Sequence, residues 1–446
     1  MIAERAGTRY NAGIMADSFK IMGLGGKKSL NGSIAVSGAK NAVLPAMASA
    51  ILFEDELRLL NVPGIEDVSR MCELMTSVGI LAQYDSHTCR LSASGLHLHS
   101  LDEGIGKRFR ASIILAGPLL ARLGKVEFSH PGGDVIGPRP INIFLDGFEK
   151  MGAVVSEQGG RYTVTAAEGS LKGADMFFPY ITVTGTETLM LAAVLAKGTT
   201  ILRNAAMEPE IPDLANYLNA CGADIKGAGT STITIRGGKL LRSKGKEYRI
   251  PPDRIEAGSF VILGALAADS LEVTNCEPEH IAILIDLLLR SGVPLTVSKN
   301  SVSIHDNGKI PNRKFKSFTL RTHEYPGFAT DLQAPMVVYL TQVAGESLVF
   351  ETIFEGRLNY TEDLVKMGAD ITVFDPHRVL VKGPSALSGR ELESPDVRAG
   401  LAFIIAATVA KGESVINNVY HVDRGYEHIE RRLRGIGVSV ERVSSL

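Results

Sequence analysis

The sequence predicts an α/β fold built from six repeated units of about 70 residues, three to a domain. Three observations predict it. First, 446 residues are too many for one ordinary core, so two or more domains are expected. Second, a short amphipathic run closed by glycine recurs six times. Its glycines, Gly79, Gly152, Gly222, Gly292, Gly368 and Gly437, are spaced by 73, 70, 70, 76 and 69 residues. Each falls where a helix C-cap calls for positive φ. Third, an Ala-rich helical run, a short turn and a strand lead repeatedly into Asn, as in Ala192–Asn204, Ala265–Asn275 and Ala406–Asn417. Helix–Gly–strand is common in any α/β protein, but five near-equal intervals mark true repetition.

Composition excludes several function classes. Apolar residues make up 45% and charged residues 22%, a globular balance. A formal net charge of -2 points to neither a nucleic-acid nor a membrane partner, so any anion site must be local. Cys72, Cys89, Cys221 and Cys276 form no CxxC pair, which argues against a zinc site or a disulfide framework and fits a reducing cytoplasm. The apolar runs near Ser112–Leu120 and Phe260–Ala268 are too short to span a membrane. Residues 1–17 carry acids and no apolar segment; they read as a flexible tail, not a secretory signal.

Taken in order, the chain next offers Lys40-Asn41, after a strand-like Ser33–Ser37 and before a helix expected from about Ala42. A cation at a positive helix end makes sense when an anion binds the backbone amides there. Arg110, opening an apolar helix expected over Ala111–Leu123, invites the same argument; a solvated charge run is the plain alternative. The stretch Pro131–Pro140 (PGGDVIGPRP) is a loop by its Pro and Gly content. It carries an acid, Asp134, and a cation, Arg139. These suit a proton donor beside an anion clamp, or simply a surface turn with an ion pair.

Thr182, Val183 and Thr184 precede a helix expected over Thr188–Ala196. They suit a phosphate site or a capping box from Thr184 to Glu187. Asp331 ends the turn-rich His323–Asp331 and reads equally as an N-cap. Arg357, the pair Asp396 and Arg398, and Asp423-Arg424 each read as local ion pairs on their own. Together, Lys40, Arg110, Arg139, Arg357, Arg398 and Arg424 sit at equivalent turns of different units. Many cations with few acids imply a substrate bearing several phosphates or carboxylates.

Ser37-Gly38-Ala39-Lys40-Asn41, Arg110-Ala111-Ser112-Ile113, Pro131-Gly132-Gly133 with Ile136-Gly137 and Arg139-Pro140, Pro252-Asp253-Arg254-Ile255-Glu256 and His421–Tyr426 resemble the enolpyruvyl transferases. Within that family the resemblance is to the branch acting on UDP-N-acetylglucosamine. The branch acting on shikimate 3-phosphate is a poorer match. The likeness covers roughly residues 20–443. It implies a two-domain inside-out α/β barrel of six βαβαββ units, with helices inward and sheets outward. The implied domains are 41–249 and 18–40 plus 250–446, closing over substrate between them.

The implied reaction moves the enolpyruvyl group of phosphoenolpyruvate to the 3-hydroxyl of UDP-N-acetylglucosamine and releases phosphate. That is the first committed step of peptidoglycan synthesis. Carried over by position, Lys40, Arg139 and Arg424 hold phosphoenolpyruvate, and Asp134 delivers a proton. Asn41 and Asp331 contact the sugar, with Asp331 as base. Arg110 meets the nucleotide; Arg357, Asp396 and Arg398 close from the second domain; Pro140, Asn142, Ile143, Thr182, Val183, Thr184 and Ile353 complete the substrate site. No metal, cofactor, nucleic-acid or membrane partner is implied, and the expected state is a cytoplasmic monomer or weak homo-oligomer.

The sequence also departs from the family pattern. Asp134 stands where most members have Cys, so insensitivity to the thiol-directed epoxide fosfomycin is expected. Desolvation or neighbouring carboxylates would have to raise its pKa for it to donate a proton. Asn142, Phe144, Tyr180 and Tyr325 replace the usual Asp, His, Lys and His of the acceptor side. They leave open a different nucleotide or phosphosugar acceptor, or a non-catalytic relative that keeps only the binding.

Overall fold

A computed structural model describes residues 17–444. The tail expected over 1–17 therefore lies outside the described residues except for Asp17, whose carboxylate pairs with Arg442 at 3.2 Å.

The strands are divided among six sheets. Each central strand pairs in parallel with a short strand and antiparallel with another; in the first unit the parallel partner of Leu57–Leu60, Glu247–Arg249, comes later in the chain. In the third unit, Gly198–Arg203 lies parallel to Asp175–Phe177 and antiparallel to Thr232–Gly237, which pairs in turn with Ile225–Lys226. Helix Val183–Leu195 links the parallel pair, and Glu210–Ala220 leads to the hairpin. The order is βαβαββ. In the second unit the leading strand shrinks to a single bridge, Ser100 to Glu127, leaving three strands. In the sixth, the N-terminal strand Ser18–Leu24 inserts between Lys411–Asn417 and Ser439–Val443. All six repeat glycines have positive φ, between 87° and 109°.

Buried helices fill the inside. Val397–Val409 is buried at every position, and Arg254–Ala267 at every position but its first. A helix apolar on all sides has to be enclosed on all sides. The central strands bury alternate residues, so they turn one face to the helices and one outward. The expected helix 111–123 divides into a 3-10 segment, Arg110–Leu115, and an α-helix, Ala116–Leu123. The apolar core falls into two clusters, one within residues 39–250 and one within 19–36 and 255–440.

The chain passes between these halves twice, each time from a strand in one to a helix in the other. Leu30–Ala35 pairs with Ala268–Thr274 of the second half and precedes helix Lys40–Ser49 of the first. Glu247–Arg249 pairs with Leu57–Leu60 of the first half and precedes helix Arg254–Ala267 of the second. The two passages bond to each other. Ala39 N–H donates to the Pro251 carbonyl at 2.8 Å, and Asp253 N–H to the Ser37 carbonyl at 2.9 Å. A Cβ on Gly38 would come within 1.9 Å of the Asn61 carbonyl oxygen, so no larger residue fits. This joint delivers Lys40 and Arg254, each opening its helix, to the same cleft.

Candidate active site

The cleft between the halves has a volume of about 570 Å³ and is lined from both. Its chemistry starts at Lys40. The Lys40 backbone N–H donates to Asp253, and its ammonium sits 2.8 Å from Asp67. Asp67 lies in the first turn of helix Glu66–Ser77, where a carboxylate is favoured. Its second oxygen accepts from Arg424 Nε at 3.0 Å. Arg424 comes from the second half and also reaches Asp134 in the Pro131–Pro140 loop. Lys40, Asp67, Arg424 and Asp134 therefore alternate in charge across the cleft. All are largely buried, which screens these contacts little.

The loop is closed onto the second half. Its Ile136 carbonyl accepts from Gly356 N–H at 3.0 Å, and Arg139 lies 5.8 Å from the Phe354 ring. Asp134 and Arg139 do not form the local ion pair that a surface turn would hold; Asp134 pairs across the cleft instead. Burial works against its ionised form, yet Arg424, Lys40 and Arg357 outweigh burial and hold its pKa below the usual carboxylate range. The raised pKa required for an acid is therefore not present while Asp134 is held against Arg424.

Arg139 and Arg110 differ from the other cations. Arg110 donates to the Pro140 carbonyl at 3.0 Å and lies 6.0 Å from the Phe144 ring. Among the described residues neither arginine has an ion-pair partner. Burial, and then Arg139, lowers the Arg110 guanidinium to about 10. Arg139 is lowered mainly by burial. Two half-buried guanidinium groups not tied up in ion pairs make an anion receptor.

Asp331 is not the N-cap that its position allows. It lies in the turn Thr330–Leu332 and pairs with Arg357 and Arg398, each at 2.9 Å. Burial opposes its charge, but Arg398 and then Arg357 hold its pKa far below the usual range. Arg357 keeps Nε and Nη1 buried without partners.

Of the residues expected at the site, Lys40, Asn41, Arg110, Asp134, Arg139, Pro140, Ile143, Thr182, Val183, Thr184, Asp331, Ile353, Arg357, Arg398 and Arg424 all line the cleft. Asp396 and Asn142 do not. Asp396 forms no ion pair with Arg398; it caps helix Val397–Val409, accepting from the N–H groups of Arg398 and Ala399. Asn142 opens helix Asn142–Lys150 on its exposed side, because Ile143, Phe144 and Phe148 take the inner face. Phe144, Tyr180 and Tyr325 do line the cleft. The capping box fails too: Thr182 caps helix Val183–Leu195 through Gly185 N–H, and Glu187 lies inside the helix.

Sequence reasoning missed Asp67, Glu187, Glu208 and Glu210, and it gave Arg254 no role. Glu66-Asp67 looks like any acidic helix start. With these residues the cleft is lined by seven carboxylates and seven Lys or Arg side chains, so the expectation of few acids is wrong. Arg254 pairs with Glu210 at 2.9 Å and lies 5.8 Å from the Tyr325 ring. Among the described residues no cluster of His, Cys, Asp and Glu could hold a metal ion, and no helix is long and apolar enough to cross a membrane.

Two α/β halves of three units each, sharing a cleft rich in guanidinium groups, define an anion-binding architecture. Residues 24–433 match the EPSP synthase (3-phosphoshikimate 1-carboxyvinyltransferase) family, and the chain belongs to that family. It is 43% identical over 415 residues to the UDP-N-acetylglucosamine 1-carboxyvinyltransferase of Solibacter usitatus, covering 93% of this chain and 97% of that one. It is 42% identical to the enzyme of the same name from Koribacter versatilis, covering 94% and 96%. Among solved structures, the enolpyruvyl transferase NikO from Streptomyces tendae superposes with a TM-score of 0.83 at 23% identity, covering 97% of this chain and all of that one. EPSP synthase from Acinetobacter baumannii superposes with a TM-score of 0.72 at 18% identity, covering 96% and 100%. At those identities the likeness is one of fold.

Proposed function

We propose that this chain transfers the enolpyruvyl group of phosphoenolpyruvate to the 3-hydroxyl of UDP-N-acetylglucosamine, releasing phosphate, as a cytoplasmic enzyme of peptidoglycan synthesis. The observation that carries the reading is the pair of half-buried guanidinium groups, Arg110 and Arg139, free of ion pairs among the described residues and facing a cleft lined from both halves. The names of the relatives support the same substrates. The halves act as domains of 41–249 and 18–40 plus 250–446, and closing them excludes water from the charges.

In this reading Lys40, Arg139 and Arg424 bind the phosphate and carboxylate of phosphoenolpyruvate. The incoming anion takes Arg424 from Asp134 and sets negative charge beside it. Both changes raise the Asp134 pKa, so the carboxyl gains the proton it then delivers to the methylene carbon. The sugar hydroxyl attacks the central carbon, and Asp331 accepts the hydroxyl proton once Arg357 and Arg398 turn towards substrate. A tetrahedral ketal forms. Phosphate then leaves, and the new methyl group loses a proton to restore the double bond. Arg110 holds the nucleotide. Asn41, Pro140, Ile143, Thr182, Val183, Thr184 and Ile353 line the acceptor.

Phosphate release from phosphoenolpyruvate, with and without UDP-N-acetylglucosamine, tests the proposal. Release should depend on the acceptor, and Asp134→Asn should lower kcat about 10²- to 10⁴-fold, the usual range for a general acid. Release that needs a different acceptor would overturn the assignment of substrate. Tight nucleotide binding with no turnover would overturn the catalytic reading.

A further inference from the structure

Glu187 lies inside helix Val183–Leu195 and is 3% exposed. Its Oε1 is enclosed by protein without a hydrogen-bond partner, although the residue lines the cleft. No other group among the described residues bonds to its carboxyl. Two more carboxyls stand beside it. Glu208 accepts from Tyr325 N–H at 3.4 Å through Oε1, and Glu210 accepts from Arg254 through Oε1. Each leaves its Oε2 buried and unpartnered. Three buried oxygens at one wall of a cavity thus lack donors. Buried polar groups in folded proteins are almost always bonded, and the cleft that all three residues line is the side from which a partner can reach them.

The chemistry narrows what that is. Carboxylates repel an anion, so the phosphates belong with Arg110 and Arg139. Burial, then Glu210 and Glu208, push the Glu187 carboxyl well above its ordinary range. A neutral carboxyl donates one hydrogen bond and accepts others. Arg254, beside the group, is already bonded to Glu210. Hydroxyl and amide N–H groups fit this wall.

We propose that Glu187, with Glu208 and Glu210 beside it, is a specificity-determining residue that hydrogen-bonds the neutral hydroxyl or amide groups of the acceptor's sugar. The assignment rests on the acceptor reading given above. It makes the cleft bipolar: guanidinium groups for the charged parts of the ligands, carboxyls for the polyhydroxyl part.

Calorimetric titration of the full chain with UDP-N-acetylglucosamine, and separately with UDP, tests this beside the turnover assay. Glu187→Leu should weaken UDP-N-acetylglucosamine about tenfold or more, the loss expected when a site loses a hydrogen bond to its ligand. Affinity for UDP, which lacks the sugar, should stay within about twofold, as should KM for phosphoenolpyruvate. Glu187→Gln, which keeps a donor and an acceptor in place, should recover most of the loss. Should Glu187→Leu not fold, Glu187→Ala gives the same readout. Equal losses for UDP and UDP-N-acetylglucosamine, or no loss for either, would overturn the Glu187 assignment while leaving the proposed reaction intact. A wild-type protein that neither binds nor turns over UDP-N-acetylglucosamine would overturn the acceptor reading, and this assignment with it.

Discussion

In one part of the cleft Lys40, Asp67, Arg424 and Asp134 alternate in charge, with contacts of 2.5 to 3.0 Å. In another, Glu187, Glu208 and Glu210 stand together, Arg254 pairs with Glu210, and three of the carboxyl oxygens have no partner among the described residues. Both groups are buried, so desolvation disfavours charge in each. The outcomes are opposite. Cations hold Asp134 below the ordinary carboxyl range, whereas burial and then like charges drive Glu187 above it. The first group is satisfied by its own members. The second leaves three oxygens without partners among the described residues. A carboxyl's function in this cleft is set by its neighbours and not by its residue type.

The largest expected effect lies next to the satisfied network. Arg139→Leu removes an unpaired guanidinium, and kcat/KM for phosphoenolpyruvate should fall about 10³-fold, as for loss of one preorganised charge donor. A fall of less than tenfold would mean the anion binds elsewhere. Asp67→Ala should reveal how far Lys40 and Arg424 depend on their shared carboxylate. Breaking a buried pair from one side costs about 3 kcal/mol, read from urea unfolding at neutral pH. Unchanged unfolding would show the network to be incidental.

Smaller effects follow from protonation. The folded Asp134 carboxyl titrates below its unfolded value, so the Arg424 contact contributes fully above about pH 4 and weakens as pH falls further. Hydrogen exchange in residues 132–138, corrected for its intrinsic rate, should therefore be flat from about pH 5 to 8. Loop opening between about pH 6 and 5 would contradict the assignment. Glu187 titrates above its unfolded value, so its neutral form favours folding at low pH, and that advantage is lost as pH rises. Glu187→Gln should be more stable than wild type near pH 8, with the gap closing towards pH 5. A gap that is constant with pH would place the Glu187 carboxyl in its ionised form.

How much of this was legible beforehand depended on the kind of signal. The six glycines marked the units because a helix C-cap at each needs positive φ, a local demand visible in one residue type. The basic turns marked most of the cleft because cations at helix starts are locally unfavourable, so their placement carries information. Asp67 gave no such sign, since an acid in a first helical turn is locally favourable. Asp396 misled for the same reason: its neighbour Arg398 suggested an ion pair, while its backbone position made it a cap. Glu187 suits a capping box from Thr184 as one of two sequence readings, but the true cap, Thr182, lies two residues before Thr184.

The sequence by itself determined the repeat, the α/β class and the cations that face the cleft, because each follows from periodicity or from a conformational need within a few residues. The tertiary structure alone decided which charges meet. Asp67 touches a lysine 27 residues before it and an arginine 357 residues after it, and Asp134 finds Arg424 rather than the nearby Arg139. The reason is the double passage between the halves, which brings units distant along the chain to a single cleft. Charge balance and protonation there depend on distance in space, which no local pattern encodes.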